Sequence, residues 1–248
     1  MSLGPAGAET AAPSPDNLSL LARITGVVFR PRSTFAAVAV RPRWAWVLAL
    51  ATAVSFGASA GFLTTEVGQQ ALVDQWERTA LAFGRPIDDA GYRQMEELSR
   101  RFAIPYAAGS ALVRGPVAVF GIAAVLYGVF AARGARPAFQ QALAVVAHAN
   151  VILALREVVG APLNYVRESI GSPLTLVRLF GVLDEASPVA RFFALMDVFM
   201  LWWVVVLAIG VSVLYRRRAR TIVLGLLGAY VGIAVLLAGA MAVLGGNS

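Results

Sequence analysis

The chain has 248 residues, 58% of them hydrophobic and only 14% charged, against about 25% charged in soluble domains, so a polytopic membrane protein is expected and a large soluble domain is excluded. Its net charge is +7, every one of its 21 basic residues is Arg, and it has no Cys and one His. That rules out disulfides, thiolate chemistry and a His-rich metal site. In a membrane protein such positive charge orients the chain, so neither a nucleic-acid partner nor a cofactor is expected.

Residues 1–16 are Ala-, Pro-, Gly- and Ser-rich with no basic start, which predicts a disordered N-terminus without a secretory signal. Residues 17–245 are read as a single membrane domain. After Asn17, a possible cap, Leu20, Leu21, Ile24, Val27 and Val28 recur at helical spacing over a stretch too short to span a bilayer. It reads as an amphipathic helix on the membrane surface. A second short surface helix, capped by Ser33, follows. Arg30, Arg32, Arg41 and Arg43 are expected at headgroup level.

Span one is expected at about 44–63, with Trp44 and Trp46 in an interfacial belt. Ala53, Gly57 and Gly61 repeat at i+4 and offer a small-residue stripe for close helix contact. In the more polar stretch 64–108, Leu72, Trp76, Ala80 and Phe83 form one helical stripe ended by Gly84. Asp88 can cap a second helix bearing Tyr92, Met95, Leu98 and Phe102. The expectation is a hairpin of two amphipathic helices on the outer membrane face or on the bundle.

Span two is expected at about 109–132, with Arg114 near its outer end and Gly115-Pro116 beside it. A link with Arg133 and Arg136 leads to span three, about 138–160, which holds Gln141, His148, Asn150, Arg156 and Glu157. At about 100° per residue, Gln141 and His148 share one face while Asn150 and Glu157 share another. Polar groups on two faces predict a helix surrounded by protein. Residues 161–187 form a second outer loop, in which Ser172-Pro173 starts a short helix ending near Gly181.

Residues 188–215 read as span four, a single helix with Ser187 as its cap and Pro188 in its first turn. Arg191 marks its entry, and Arg216, Arg217, Arg218 and Arg220 mark its exit. The basic run fits a stop-transfer flank and equally an anionic-lipid contact. Span five, about 221–245, repeats Gly225, Gly232 and Gly239 at every seventh position, and Gly228 with Gly232 makes a GxxxG pair. Five spans put the termini on opposite sides. One side holds eleven Arg and two acids, the other ten Arg and eleven acids. The acid-poor side, with the N-terminus, is expected to be cytoplasmic and the C-terminus outside.

Asp197 breaks the apolar pattern of span four. A charge there costs about 2.5–3.5 kcal/mol on an isolated helix, so it needs a partner, water or a proton. Arg114, Asn150 and Arg156 fall in the same half of the bilayer. An intramembrane polar cluster centred on Asp197 is therefore expected, with Arg114 as its favoured partner and His148 and Glu157 among the remaining polar groups. The cluster could fix helix register, line an ion or proton path, or bind lipid or peptide. Residues 57–61, GASAG, spell G-x-S-x-G, but that motif needs a strand, a turn and a helix. Here it lies inside an apolar helix, which leaves an intramembrane serine protease pairing Ser59 with His148 as the least favoured reading.

Several stretches together resemble the Yip domain family, the Ypt-interacting proteins, in its bacterial branch. They are Pro31…Phe35…Arg41-Pro42-Arg43-Trp44, Gly115-Pro116, Phe139-Gln140-Gln141-Ala142-Leu143 with Ala147-His148, Pro162-Leu163 and Ser172-Pro173-Leu174. The most specific is Asp197-Val198-Phe199-Met200-Leu201-Trp202 with Gly210. The resemblance covers roughly 23–243 and implies a five-span helical bundle with a cytoplasmic N-terminus. Eukaryotic relatives bind small Rab-type GTPases and act in vesicle traffic. That activity does not carry over, because the short N-terminal segment offers no matching partner-binding region. The long 64–108 insertion also departs from the compact eukaryotic form.

The sequence thus predicts an all-α, polytopic bundle of the bacterial inner membrane, with five transmembrane helices plus amphipathic surface helices. It is expected to be a membrane-organising or partner-binding scaffold and not an enzyme. It would contact anionic membrane lipids and either form a homo-oligomer through the Gly-rich faces of spans one and five or bind another membrane protein. The competing class is a transporter or channel using Asp197, Arg114 and His148. A water-accessible cavity reaching Asp197 would favour transport, and a dry, paired Asp197 would favour a scaffold.

Overall fold

A computed structural model describes residues 19–82, 85–134, 137–172, 174–176 and 188–245. The expected disordered start, the Ser187 cap and most of the expected 172–181 helix lie outside the described residues. Every regular element described is a helix. Helix α1 (Leu20–Phe29) begins at Ser19, whose hydroxyl accepts the Ala22 N–H at 3.2 Å. Helix α2 (Pro31–Val40) opens with proline at its first position, where the missing N–H costs nothing.

These two helices do not simply lie on the membrane. They form a tight hairpin, in which a Cβ on Gly26 would strike Thr34 Oγ1, and they pack into the bundle. Val27, Phe35 and Val38 are fully buried. The expected apolar stripe of α1 is split, with Val27 in the core and Leu21 facing out. Arg23 is 5% exposed, whereas Leu21 is 72% and Phe29 81% exposed. Around a membrane bundle, apolar side chains can face outward without penalty, while a cation is better placed against protein groups.

Helix α3 (Ala45–Leu63) is span one. Helices α4 (Glu66–Ala82) and α5 (Asp89–Leu112) make the expected hairpin, and Asp88 caps α5 by accepting the Gly91 N–H at 2.8 Å. The boundary expected at residue 109 does not exist. Helix α5, a π-helical turn (Val113–Val117) and helix α6 (Ala118–Ala131) run as one 43-residue rod. At 1.5 Å per residue the rod is about 65 Å long, roughly twice a hydrocarbon core. Pro116 cannot donate a backbone hydrogen bond, and the wider π-turn absorbs the gap. The face of α5 that packs is also not the large-residue stripe. Ser99, Ala103, Ala107, Ala111 and Gly115 are buried, whereas Leu98 and Phe102 are exposed. Small side chains let α5 and α3 approach closely.

Helices α7 (Phe139–Ala149) and α8 (Val151–Val166) form one 28-residue span, longer than expected at its far end. Within its most apolar 18 residues 67% are buried, against 11–33% in the three other long apolar helices described. It is the protein-enclosed axis that its two polar faces require.

Span four is not one helix. Short α9 (Pro188–Ala194) and α10 (Val198–Leu214) are separated by a break at residues 195–197. Helix α11 (Ala219–Gly245) follows. Among the described residues four helices are long and apolar enough to cross a membrane, and α1 and the 17-residue α10 are shorter apolar helices. The Phe130 ring stacks on Tyr215 at 3.9 Å and Tyr127 meets Phe139 edge-on, gathering the ends of α6, α7 and α10 at one pole. Here Gln141 accepts the Ala138 N–H at 2.9 Å and donates to Ala39 C=O at 2.7 Å, tying α2 to α7.

Candidate functional site

Asp197 sits at the break in span four. Its backbone is extended (φ −109°, ψ 134°), and its Oδ1 accepts the Met200 N–H at 2.9 Å. The carboxylate is therefore the N-cap of α10, where the helix dipole also favours negative charge. Oδ2 accepts the Ser172 hydroxyl. The backbone groups freed by the break are paired as well. Leu176 N–H donates to Met196 C=O at 2.7 Å and Val198 N–H to Leu174 C=O at 3.2 Å, so Thr175 lies opposite Asp197 in a single antiparallel bridge. The Tyr230 hydroxyl of α11 donates to Leu195 C=O at 2.7 Å. Irregular backbone at such a position is tolerated only where other groups re-pair it. Asp197 is 5% exposed.

The expected Asp197–Arg114 pair is not formed. Arg114, on the π-turn, bonds Ser110 through Nη2 to the hydroxyl (3.1 Å) and through Nε to the carbonyl (3.4 Å). Its Nη1 lies 3.6 Å from Glu157 Oε1. Arg156 Nη2 donates to that same oxygen at 2.9 Å. Glu157 is the acid that faces both guanidinia. The sequence cluster thus resolves into two neighbouring sites: Asp197 with Ser172, and Arg114–Glu157–Arg156.

His148 and Asn150 belong to neither site. His148 is fully buried in α7 with Nδ1 2.7 Å from Ala144 C=O, and Nε2 has no partner among the described residues. The hydrogen bond to Ser59 that a protease needs is absent there, and GASAG lies inside α3 as a continuous helix. Asn150 is buried at the α7–α8 junction. Among the described residues no three His, Cys, Asp or Glu side chains cluster to hold a metal.

A cavity of about 290 Å³ opens between α3, α5 and α8. Arg114, Arg156, Glu157, Gln75, Asn164 and Ser172 are among its walls. Ser172 lines it and Asp197 does not. On the other flank of the α3–α5 seam lies an almost wholly apolar groove of about 580 Å³, bounded by Trp44, Thr52, Phe56 and Phe120.

The sequence model of the Yip1 domain family matches residues 25–242. The chain belongs to the Yip1 domain family. No curated protein and no solved structure matches it. The residues that carried the family resemblance are structural keystones of this Yip1 domain. Asp197 starts α10, and Gly115-Pro116 makes the π-turn. Gln141 ties α2 to α7. Gly210 lets three helices meet, since a Cβ there would fall 2.6 Å from Val145 Cγ1 and 3.0 Å from the Phe35 ring.

All eight arginines expected at headgroups (Arg30, Arg32, Arg41, Arg43, Arg216, Arg217, Arg218 and Arg220) are exposed. Arg23 was not anticipated. Burial, with Arg43 and Arg41 nearby, lowers its pKa from the usual guanidinium value. Ser172, Tyr230, Gln75 and Asn164 were also missed as site residues. Only Ser172-Pro173 carried a sequence signal, and it was read as a helix start.

Proposed function

We propose that this Yip1-family chain is a non-enzymatic scaffold of the bacterial inner membrane, with its N-terminus cytoplasmic and its C-terminus outside. The observation that carries this reading is the state of Asp197. The acid is 5% exposed, capped to Met200 and bonded to Ser172, and it is not among the residues that line the cavity. A transport path would need an acid open to water, whereas this carboxylate serves a helix end. The partners are anionic lipids at the exposed arginines and a second copy of the chain. Around Gly57 and Gly61 of α3 and Gly225, Gly228, Gly232 and Gly239 of α11, no atom of the described residues beyond the helix's own adjoining backbone lies within 4 Å of where a Cβ would be. These small-residue faces are unused within one chain and suit a helix from another.

The chain has no Cys, so single substitutions report cleanly. Gly232→Cys should form a disulfide-linked dimer in native membranes, and Asp197→Cys should resist a water-soluble maleimide. Rapid maleimide labelling at 197 from either side would refute the scaffold in favour of a conduction path. A C-terminal reporter should be active only outside.

A further inference from the structure

The cavity between α3, α5 and α8 holds a hydrogen-bond inventory that its own residues do not balance. Two guanidinia, Arg114 and Arg156, reach the same oxygen, Glu157 Oε1, at 3.6 and 2.9 Å. A guanidinium presents a fork of donors suited to two oxygens of one oxyanion, so a single shared oxygen leaves both forks under-used. Ser110 takes part of the Arg114 fork. Asp197 is beyond Ser172 and already occupied. Surplus cationic donors thus face one space. That pattern fits a ligand with an anionic oxygen group.

The mouth of the cavity indicates where such a ligand comes from. The Arg114 side chain is 48% exposed, and its neighbours Leu112, Val113 and Val117 are 54%, 59% and 62% exposed on a helix apolar enough to lie in a membrane. Arg114 therefore opens toward apolar surroundings, where a guanidinium without an anion is costly. The volume of about 290 Å³ lies at the small end of ligand sites, about 300–1,000 Å³. It suits a headgroup and not a whole lipid.

We propose that this cavity binds a phosphate group, held by the Arg114 and Arg156 guanidinia. Glu157 is then a built-in competitor that occupies the guanidinia until the ligand arrives. The inference goes beyond the scaffold reading and does not depend on it.

The test uses full-length protein in a neutral maltoside detergent, with binding followed by native mass spectrometry and thermal stability. The probes are phosphatidylglycerol, diacylglycerol with the same chains, and inorganic phosphate. Phosphatidylglycerol should bind at least tenfold more tightly than diacylglycerol. Arg114→Gln and Arg156→Gln should each weaken it at least tenfold, and Arg114→Lys less. Glu157→Gln should tighten it at least threefold, which loss of a merely structural ion pair would not do. Arginine-dependent binding of inorganic phosphate at equal affinity would assign the site to free phosphate, and lipid-only binding would assign it to a headgroup. Either result supports the phosphate chemistry. Equal affinity for diacylglycerol, binding of neither phosphate probe, or unchanged affinity in Arg114→Gln would overturn it. Should Arg114→Gln not fold, Glu157→Gln decides: tighter binding supports the site, and unchanged or weaker binding rejects it.

Discussion

Replacing Asp197 separates a helix cap from a buried ion pair. In Asp197→Ala the Met200 N–H loses its acceptor inside the bundle, and the Ser172 hydroxyl loses its own. Loss of an N-cap costs about 0.5–2 kcal/mol, and an orphaned buried group costs about 1–3 kcal/mol. These overlap on one N–H, so a total of about 2–4 kcal/mol is expected. For a chain of this size about 2–4 °C of melting temperature is lost per kcal/mol, or roughly 4–16 °C here. Asp197→Asn keeps an equally good capping oxygen and should cost under about 1 kcal/mol. Were Asp197 instead paired with Arg114, neutralising it would strand a buried cation at about 3–5 kcal/mol. The five Trp residues give an intrinsic fluorescence signal for thermal unfolding in detergent. Asp197→Ala and Arg114→Ala should combine additively, within about 0.5 kcal/mol. Asparagine as damaging as alanine, or a coupling above about 1 kcal/mol between 197 and 114, would refute the capping account.

Three further outcomes follow from the packing. Gly210→Val should destabilise by at least about 1–3 kcal/mol in the same melt, because Val145 and Phe35 are fully buried and cannot retreat. Gln141→Leu should lose about 1–2 kcal/mol by orphaning Ala39 C=O and the Ala138 N–H. It should also raise protease cleavage within α1–α2. Replacing Arg216, Arg217, Arg218 and Arg220 with Gln should remove about 1 kcal/mol of anionic-lipid attraction per charge, read as less co-purified anionic lipid. An unchanged lipid profile would leave those arginines as topology markers alone.

The expected spans one and five are essentially α3 and α11, because a bilayer demands an apolar length that composition displays directly. Span three was legible as protein-enclosed from its polar faces. The break before Asp197 was not legible. The sequence there is apolar on both sides, and an acid reads alike as a mid-helix charge or as a cap. What separates the two is Leu174–Leu176 and Tyr230, which arrive from distant parts of the chain to pair the freed backbone. The partner of Arg114 was misjudged for the same reason. Depth along a span can be counted, but azimuth around the bundle cannot, and Glu157 shares both with Arg114.

Composition and apolar run length by themselves determined that this is an all-helical membrane chain, and the order of its motifs placed it in the Yip1 domain family. Those properties follow from local chemistry, since an apolar helix needs nothing beyond its own backbone to satisfy a lipid environment. Only the tertiary structure decided that Asp197 ends a helix, that Arg23 faces inward and that two arginines share one glutamate. Each of these is a choice of partner among polar groups brought together from distant segments, and the pairing with the best geometry is fixed only when the helices have packed.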